Sequence, residues 1–147
     1  MKKLSLYLFL CLLMSTNAYA TKSFVLVCDG SYKITSGLSK DAGSIFEEWE
    51  LTASKDKVWA AKLLNTDKWL HRKYYLPKNI NLSSNIISIT KYNTPSHDGY
   101  TIKKYEHNIS LNSGRFSWYN ELRGELTWIA KAKGTCSGYK ELLRYLS

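Results

Sequence analysis

The sequence predicts a mainly β fold, an antiparallel meander of about eight to ten short strands followed by a short C-terminal helix. Three observations predict it. Runs of alternating apolar and polar residues are separated by clusters of Gly, Asn, Asp and Ser, the pattern of half-buried strands joined by turns. Trp49, Trp59 and Trp69 recur at intervals of ten, as do Trp118 and Trp128, which suits strands of roughly six residues and turns of roughly four. Near the end, Tyr139, Leu142, Leu143 and Leu146 fall at helical spacing, so a short amphipathic helix is expected there.

The first element is an export signal rather than a strand. Lys2 and Lys3 precede an apolar stretch from Leu4 to Met14, and a polar spacer ends in Ala18-Tyr19-Ala20. A basic start, a short hydrophobic middle and small residues at −3 and −1 predict cleavage after Ala20. The chain has 147 residues, so 127 would remain from Thr21, the size of a single domain. Phe24 to Val27 then reads as a strand ending at Cys28 and a turn at Asp29-Gly30. A weaker strand is expected around Tyr32 and Ile34, with a loop through Gly43.

Ile45, Trp49, Leu51 and Ala53 share one face by alternation, and Glu48, Glu50 and Thr52 the other; Glu47 breaks the apolar pattern. A three-residue loop at Lys55-Asp56-Lys57 sets Ala53 opposite Trp59, Leu51 opposite Ala61 and Trp49 opposite Leu63, all apolar pairs, the condition that specifies a register. A strand from Lys68 to Leu76 is stopped by Pro77, Asn79 to Leu82 has no clear assignment, and Ile86 to Tyr92 is a strand closed by the turn-rich residues 93–99. Tyr100 and Ile102 have one parity, Tyr105, His107, Ile109 and Leu111 the other, which a bulge near Lys103-Lys104 reconciles. A two-residue turn at Ser113-Gly114 sets Leu111 opposite Phe116, Ile109 opposite Trp118 and Tyr105 opposite Leu122. The last strand is expected over Leu122–Lys133, with Leu126, Trp128, Ala130 and Ala132 on one face.

Cys11 lies within the signal, so Cys28 and Cys136 remain as an even pair, and an oxidising compartment makes their disulfide the expectation. Closing a loop of about 100 residues stabilises by roughly 4–5 kcal/mol in the chain-entropy model. The link is easiest if first and last strands are neighbours, as in a closed, lipocalin-like small barrel. No cysteine follows a lipidation-type run, and no later stretch is long and apolar enough for a spanning helix. Without Lys2 and Lys3, 19 basic side chains face 12 acidic ones, a balance of +7. That favours an anionic envelope component, a glycan or an exported protein as partner, and export disfavours nucleic acid. His71, His97 and His107 show no metal-ligand spacing, so no metal or other cofactor is expected.

The run Ile109-Ser110-Leu111-Asn112-Ser113-Gly114-Arg115-Phe116, followed by Gly134-Thr135-Cys136, resembles the end of many small exported bacterial proteins. Those carry an apolar strand, an Asn-Arg-x-(Thr/Ser)-Gly turn, a terminal Gly-x-Cys and a partner cysteine near the mature start. Cys28 fits the partner; Asn112 departs from the pattern because no arginine follows it. The resemblance implies fold and export and no activity. In size, export and one disulfide the chain is also similar to periplasmic lysozyme inhibitors of small-barrel fold.

Catalytic signatures are missing: there is no Gly-x-Ser-x-Gly, His-Glu-x-x-His, P-loop or dinucleotide fingerprint. Glu47, Glu48 and Glu50 form the one acidic patch, a site for a basic partner or, less readily, for paired-carboxylate chemistry. His71 and His107 are conceivable bases. The basic-aromatic stretches His71-Arg72-Lys73-Tyr74-Tyr75 and Lys103-Lys104-Tyr105 interleave cations and rings, so Arg72, Lys73, Tyr75, Lys103 and Lys104 are candidates for an anion- or glycan-binding surface. The function expected is that of a periplasmic or secreted, non-enzymatic β-domain that binds a ligand. The alternatives are an inhibitor of an exported hydrolase such as lysozyme and a structural envelope component.

Overall fold

The computed structural model describes residues 20–36, 40–66, 74–75, 79–95 and 100–147. Among these residues nine strands and one helix follow in order: β1 Lys22–Ser36, β2 Lys40–Ser54, β3 Lys57–Thr66, β4 Tyr74–Tyr75, β5 Ile80–Ser83, β6 Ile86–Pro95, β7 Thr101–Ser110, β8 Arg115–Arg123, β9 Thr127–Ser137 and α1 Tyr139–Leu146. They form one antiparallel sheet in the order β4-β3-β2-β1-β9-β8-β7-β6-β5. Two meanders thus meet where the first strand pairs with the last. β3 and β5 approach within 8 Å between Cα atoms, so the sheet curls into a nearly closed barrel. The meander and terminal helix expected from the sequence are what the chain forms. The expected signal lies outside the described residues except for Ala20, as does the expected strand Lys68–Leu76 except for the backbone of β4. No helix among the described residues is long and apolar enough to cross a membrane.

The barrel holds because alternation sends one set of side chains inward. Leu26, Ile45, Trp49, Leu51, Ile87, Ile89, Ile109 and Phe116 are all buried there. At one end α1 inserts Leu142, and Phe24 packs its ring 5.1 Å from that of Tyr145. Cys28 faces Cys136 directly in the β1–β9 register, and their sulfurs are bonded at 2.05 Å.

Five local expectations are corrected, the first being the loop through Gly43: β2 already begins at Lys40, and Gly43 pairs with Tyr32 of β1. Asp29-Gly30 is no turn: β1 runs straight through it, with Gly30 opposite Gly134. A Cβ on Gly30 would lie 2.2 Å from the Lys133 carbonyl oxygen, so glycine serves close strand approach rather than reversal. The β2–β3 turn holds only Lys55 and Asp56, and a bulge pairs Ala53 with Val58. Trp59 is therefore 38% exposed instead of facing Ala53, with its Nε1–H donating to Ser54 Oγ at 2.8 Å and Lys57 Nζ 4.1 Å above its ring. The pairs Leu51–Ala61 and Trp49–Leu63 stand as expected.

The β7–β8 connection spans residues 111–114, so Ile109 meets Phe116 and His107 meets Trp118, two residues from the expected register. Leu111 leaves the ladder because it is fully buried and its N–H donates to the Asn85 carbonyl at 2.8 Å. The expected bulge appears between Ile102 and Lys104. The strand expected over Leu122–Lys133 is instead divided: β8 ends at Arg123, Gly124 donates to the Leu126 carbonyl at 3.2 Å, and β9 begins at Thr127.

Candidate functional site

Two chemically distinctive places emerge, one inside the barrel and one outside. Inside, Glu47 of β2 and His107 of β7 occupy positions that alternation reserves for apolar residues, and both are fully buried. His107 Nε2 lies 3.0 Å from Glu47 Oε2, and the Trp49 indole N–H donates to the same oxygen at 3.0 Å. The imidazole stacks on Phe116 at 5.7 Å between centroids and tilts against Trp49 at 4.9 Å. Burial acts to raise the Glu47 pKa, but the His107 hydrogen bond and charge, with help from Trp49 and Trp118, outweigh it and hold the carboxyl below its ordinary value. Acid beside imidazole is a general-base arrangement in the abstract. Here both groups are sealed from solvent.

Outside, a groove of about 670 Å³ crosses β1, β9, β8 and β7 and is lined by Lys33, Lys131, Lys133, Tyr119, Ser117 and Asn108, among others. Strand register builds it. Lys33 stands directly opposite Lys131, which in turn faces Tyr119. Lys133, two residues along the same face, lies between Ser31 and Ser117. None of these three lysines has an ion-pair partner among the described residues. Lys131 and Lys104 place their ammonium groups 5.6 and 5.7 Å from the Tyr119 ring centroid, a cation–π arrangement. The one acid on the groove, Glu106, is engaged by Lys104 Nζ at 2.9 Å and by the Asn108 amide at 3.0 Å. Those two partners hold its carboxyl below the usual range.

The residues singled out from the sequence scatter. Arg72 and Lys73 lie outside the described residues, and Tyr75 is described only as backbone in β4. Lys103 donates to Asn93 Oδ1 at 3.2 Å, while Lys104 reaches the groove edge through Glu106. Of the acidic patch, Glu48 and Glu50 are half-buried on the outer side of β2, opposite Val27 and Val25, whereas Glu47 points the other way into the barrel. Lys33, Lys131, Lys133 and Tyr119 carried no motif. The available signal was parity, since Lys131 and Lys133 alternate with Ala130 and Ala132, but their meeting with Lys33 depends on the β1–β9 register. No group of three or more His, Cys, Asp or Glu able to hold a metal occurs among the described residues. No family model, curated protein or solved structure matches the chain.

Proposed function

We propose that this chain is an exported, non-catalytic binding protein and that its ligand is an anion seated in the outer groove. The observation that carries the reading is the triad Lys33, Lys131 and Lys133, brought together by register and without an ion-pair partner among the described residues. Like charges directly opposite on a sheet destabilise it, and an anionic ligand converts that repulsion into attraction. A concave surface on which one sign predominates also focuses potential and draws oppositely charged ligands. Export is supported by the signal-like start and by the Cys28–Cys136 disulfide, which persists in the periplasm or outside the cell.

The hydrolase-inhibitor alternative has a weaker footing, because Glu47 is turned away from Glu48 and Glu50 and a chain of +7 after removal of the signal repels a basic lysozyme at long range. A structural envelope role gives no account of an uncompensated cationic groove.

The test is calorimetric titration with inorganic pyrophosphate at low and moderate salt. Binding that weakens with salt and falls at least roughly tenfold in the Lys33→Gln, Lys131→Gln, Lys133→Gln triple variant is expected. Equal binding by the triple variant would remove the site. A turnover by the purified protein that disappears on changing one side chain would replace the reading with an enzymatic one.

A further inference from the structure

We infer that the groove takes an acidic polysaccharide, laid across the strands with its sugar hydroxyls along a transverse polar row and its anionic groups on the lysine triad; this rests on the anion-binding reading above. The row runs through five neighbouring strands in register: Ser31 of β1, Lys133 of β9, Ser117 of β8, Asn108 of β7 and Ser88 of β6. Adjacent strands lie about 4.8 Å apart, so the row extends roughly 19 Å. Each position offers a hydroxyl, an amide or an amine. Ser88 donates to Asn108 Oδ1 at 2.6 Å, which links the far end of the row to the groove wall.

The outside of the barrel is not polar by default. Val25 is 47% exposed and Ile86 41% exposed on the outer face of the same sheet. The next row along the same strands, Lys33, Lys131, Tyr119, Glu106 and Thr90, is also continuous, so two adjacent hydrogen-bonding rows cross this face. A compact anion would engage the triad alone and leave Ser117, Asn108 and Ser88 unused. A chain of hydroxylated rings reaches Ser31 and Ser117 as well, beside an Asn108 already held by Ser88 and Glu106.

The remaining features fit the same ligand. Tyr119 lies beside the row, half-buried, flanked by the Lys131 and Lys104 ammonium groups. The Tyr119 ring holds the Lys131 ammonium at the edge of the row, where it meets a carboxylate, phosphate or sulfate substituent, while Lys104 stays on Glu106. Single-stranded nucleic acid would require a succession of aromatic platforms, and the groove lining includes only Tyr32, Trp118 and Tyr119. Of these, Trp118 is buried with its ring inside the barrel.

The experiment titrates the full protein with galacturonate oligomers of one to six units, alongside inorganic pyrophosphate, neutral maltohexaose, a single-stranded oligonucleotide and anionic phosphatidylglycerol vesicles. Affinity for the uronate series is expected to rise at least roughly tenfold from monomer to tetramer, with no binding of maltohexaose. The Ser31→Ala, Ser117→Ala variant should lose that length dependence and keep its pyrophosphate affinity; its thermal midpoint and near-ultraviolet circular dichroism report folding. Pyrophosphate binding with no gain along the uronate series would overturn the glycan inference and leave the anion groove standing. Failure of every anion to bind would overturn both. Tighter binding of the oligonucleotide or the vesicles than of the hexamer would assign the groove to that partner instead and end the glycan reading. The length series needs no variant, so a variant that fails to fold leaves the decision intact.

Discussion

A carboxylate and an imidazole placed where leucines would serve must be held by each other, and the Glu47–His107 pair is. Its oxygen and nitrogen sit 3.0 Å apart at a fully buried site. Removing one partner leaves a buried group uncompensated, which costs about 3–5 kcal/mol, whereas replacing both by apolar side chains of similar volume is far milder. His107→Leu should therefore lower unfolding stability in urea by that amount, and Glu47→Leu/His107→Leu by clearly less than the two single changes together. The pair also sets an acid limb. Because the folded-state pKa of Glu47 is held below its ordinary value of 4.5, its contribution to stability is complete above that value and drains away as pH falls through the lower folded one. The thermal midpoint of the wild type should drop more steeply than that of Glu47→Gln as pH falls below about 4.5. A parallel decline in the two proteins would show that the carboxylate carries no such role. Both residues were legible in the sequence as interruptions of an apolar face. Their meeting was not, because they lie 60 residues apart and only the curl of the sheet brings β2 to β7.

At the scale of single elements, the sequence determined faces better than registers. In the β7–β8 hairpin the observed pairing differs from the expected one by two residues, and a shift of two preserves which side chains point inward. Alternation is blind to it. What decides is tertiary: Leu111 is drawn out of the ladder to be buried, and Gly114, with φ of 70°, closes the longer turn. The strand break at Gly124 was equally invisible to parity, because Leu122 and Trp128 both pack against the core with the turn between them. Asp29-Gly30 shows the converse error, in which a turn-forming pair serves strand crossing. There the structure makes a definite demand, since a methyl group on Gly30 meets the Lys133 carbonyl oxygen at 2.2 Å and the Gly134 Cα at 2.9 Å. Backbone, not a flexible side chain, would have to yield. Gly30→Ala should cost about 1–3 kcal/mol by overpacking, read from the urea midpoint. It should also weaken pyrophosphate binding, since Lys33 and Lys131 flank the same crossing. A neutral substitution would mean that β1 and β9 can part without loss.

The molecule as a whole is held at the β1–β9 seam, where the chain's first and last strands pair, the disulfide spans 108 residues of sequence and the cationic groove is assembled. These three facts bear on one another. A crosslink between residues so far apart acts mainly by restricting the unfolded chain, worth roughly 4–5 kcal/mol in the entropy model and commonly less. It does not hold Lys33 to Lys131, because ten consecutive residue pairs from Val27–Ser137 to Ser36–Trp128 already zip that seam. The groove should therefore survive loss of the bond. Cys28→Ser/Cys136→Ser is expected to unfold at lower urea by up to that amount, and yet to bind pyrophosphate as tightly as the wild type at temperatures below its own midpoint. If binding falls while the far-ultraviolet circular dichroism stays native, the disulfide positions the lysines directly and the seam is softer than its hydrogen-bonded register indicates. If binding and stability part company as expected, the two roles of the seam separate, with sulfur guarding the fold and strand register building the site.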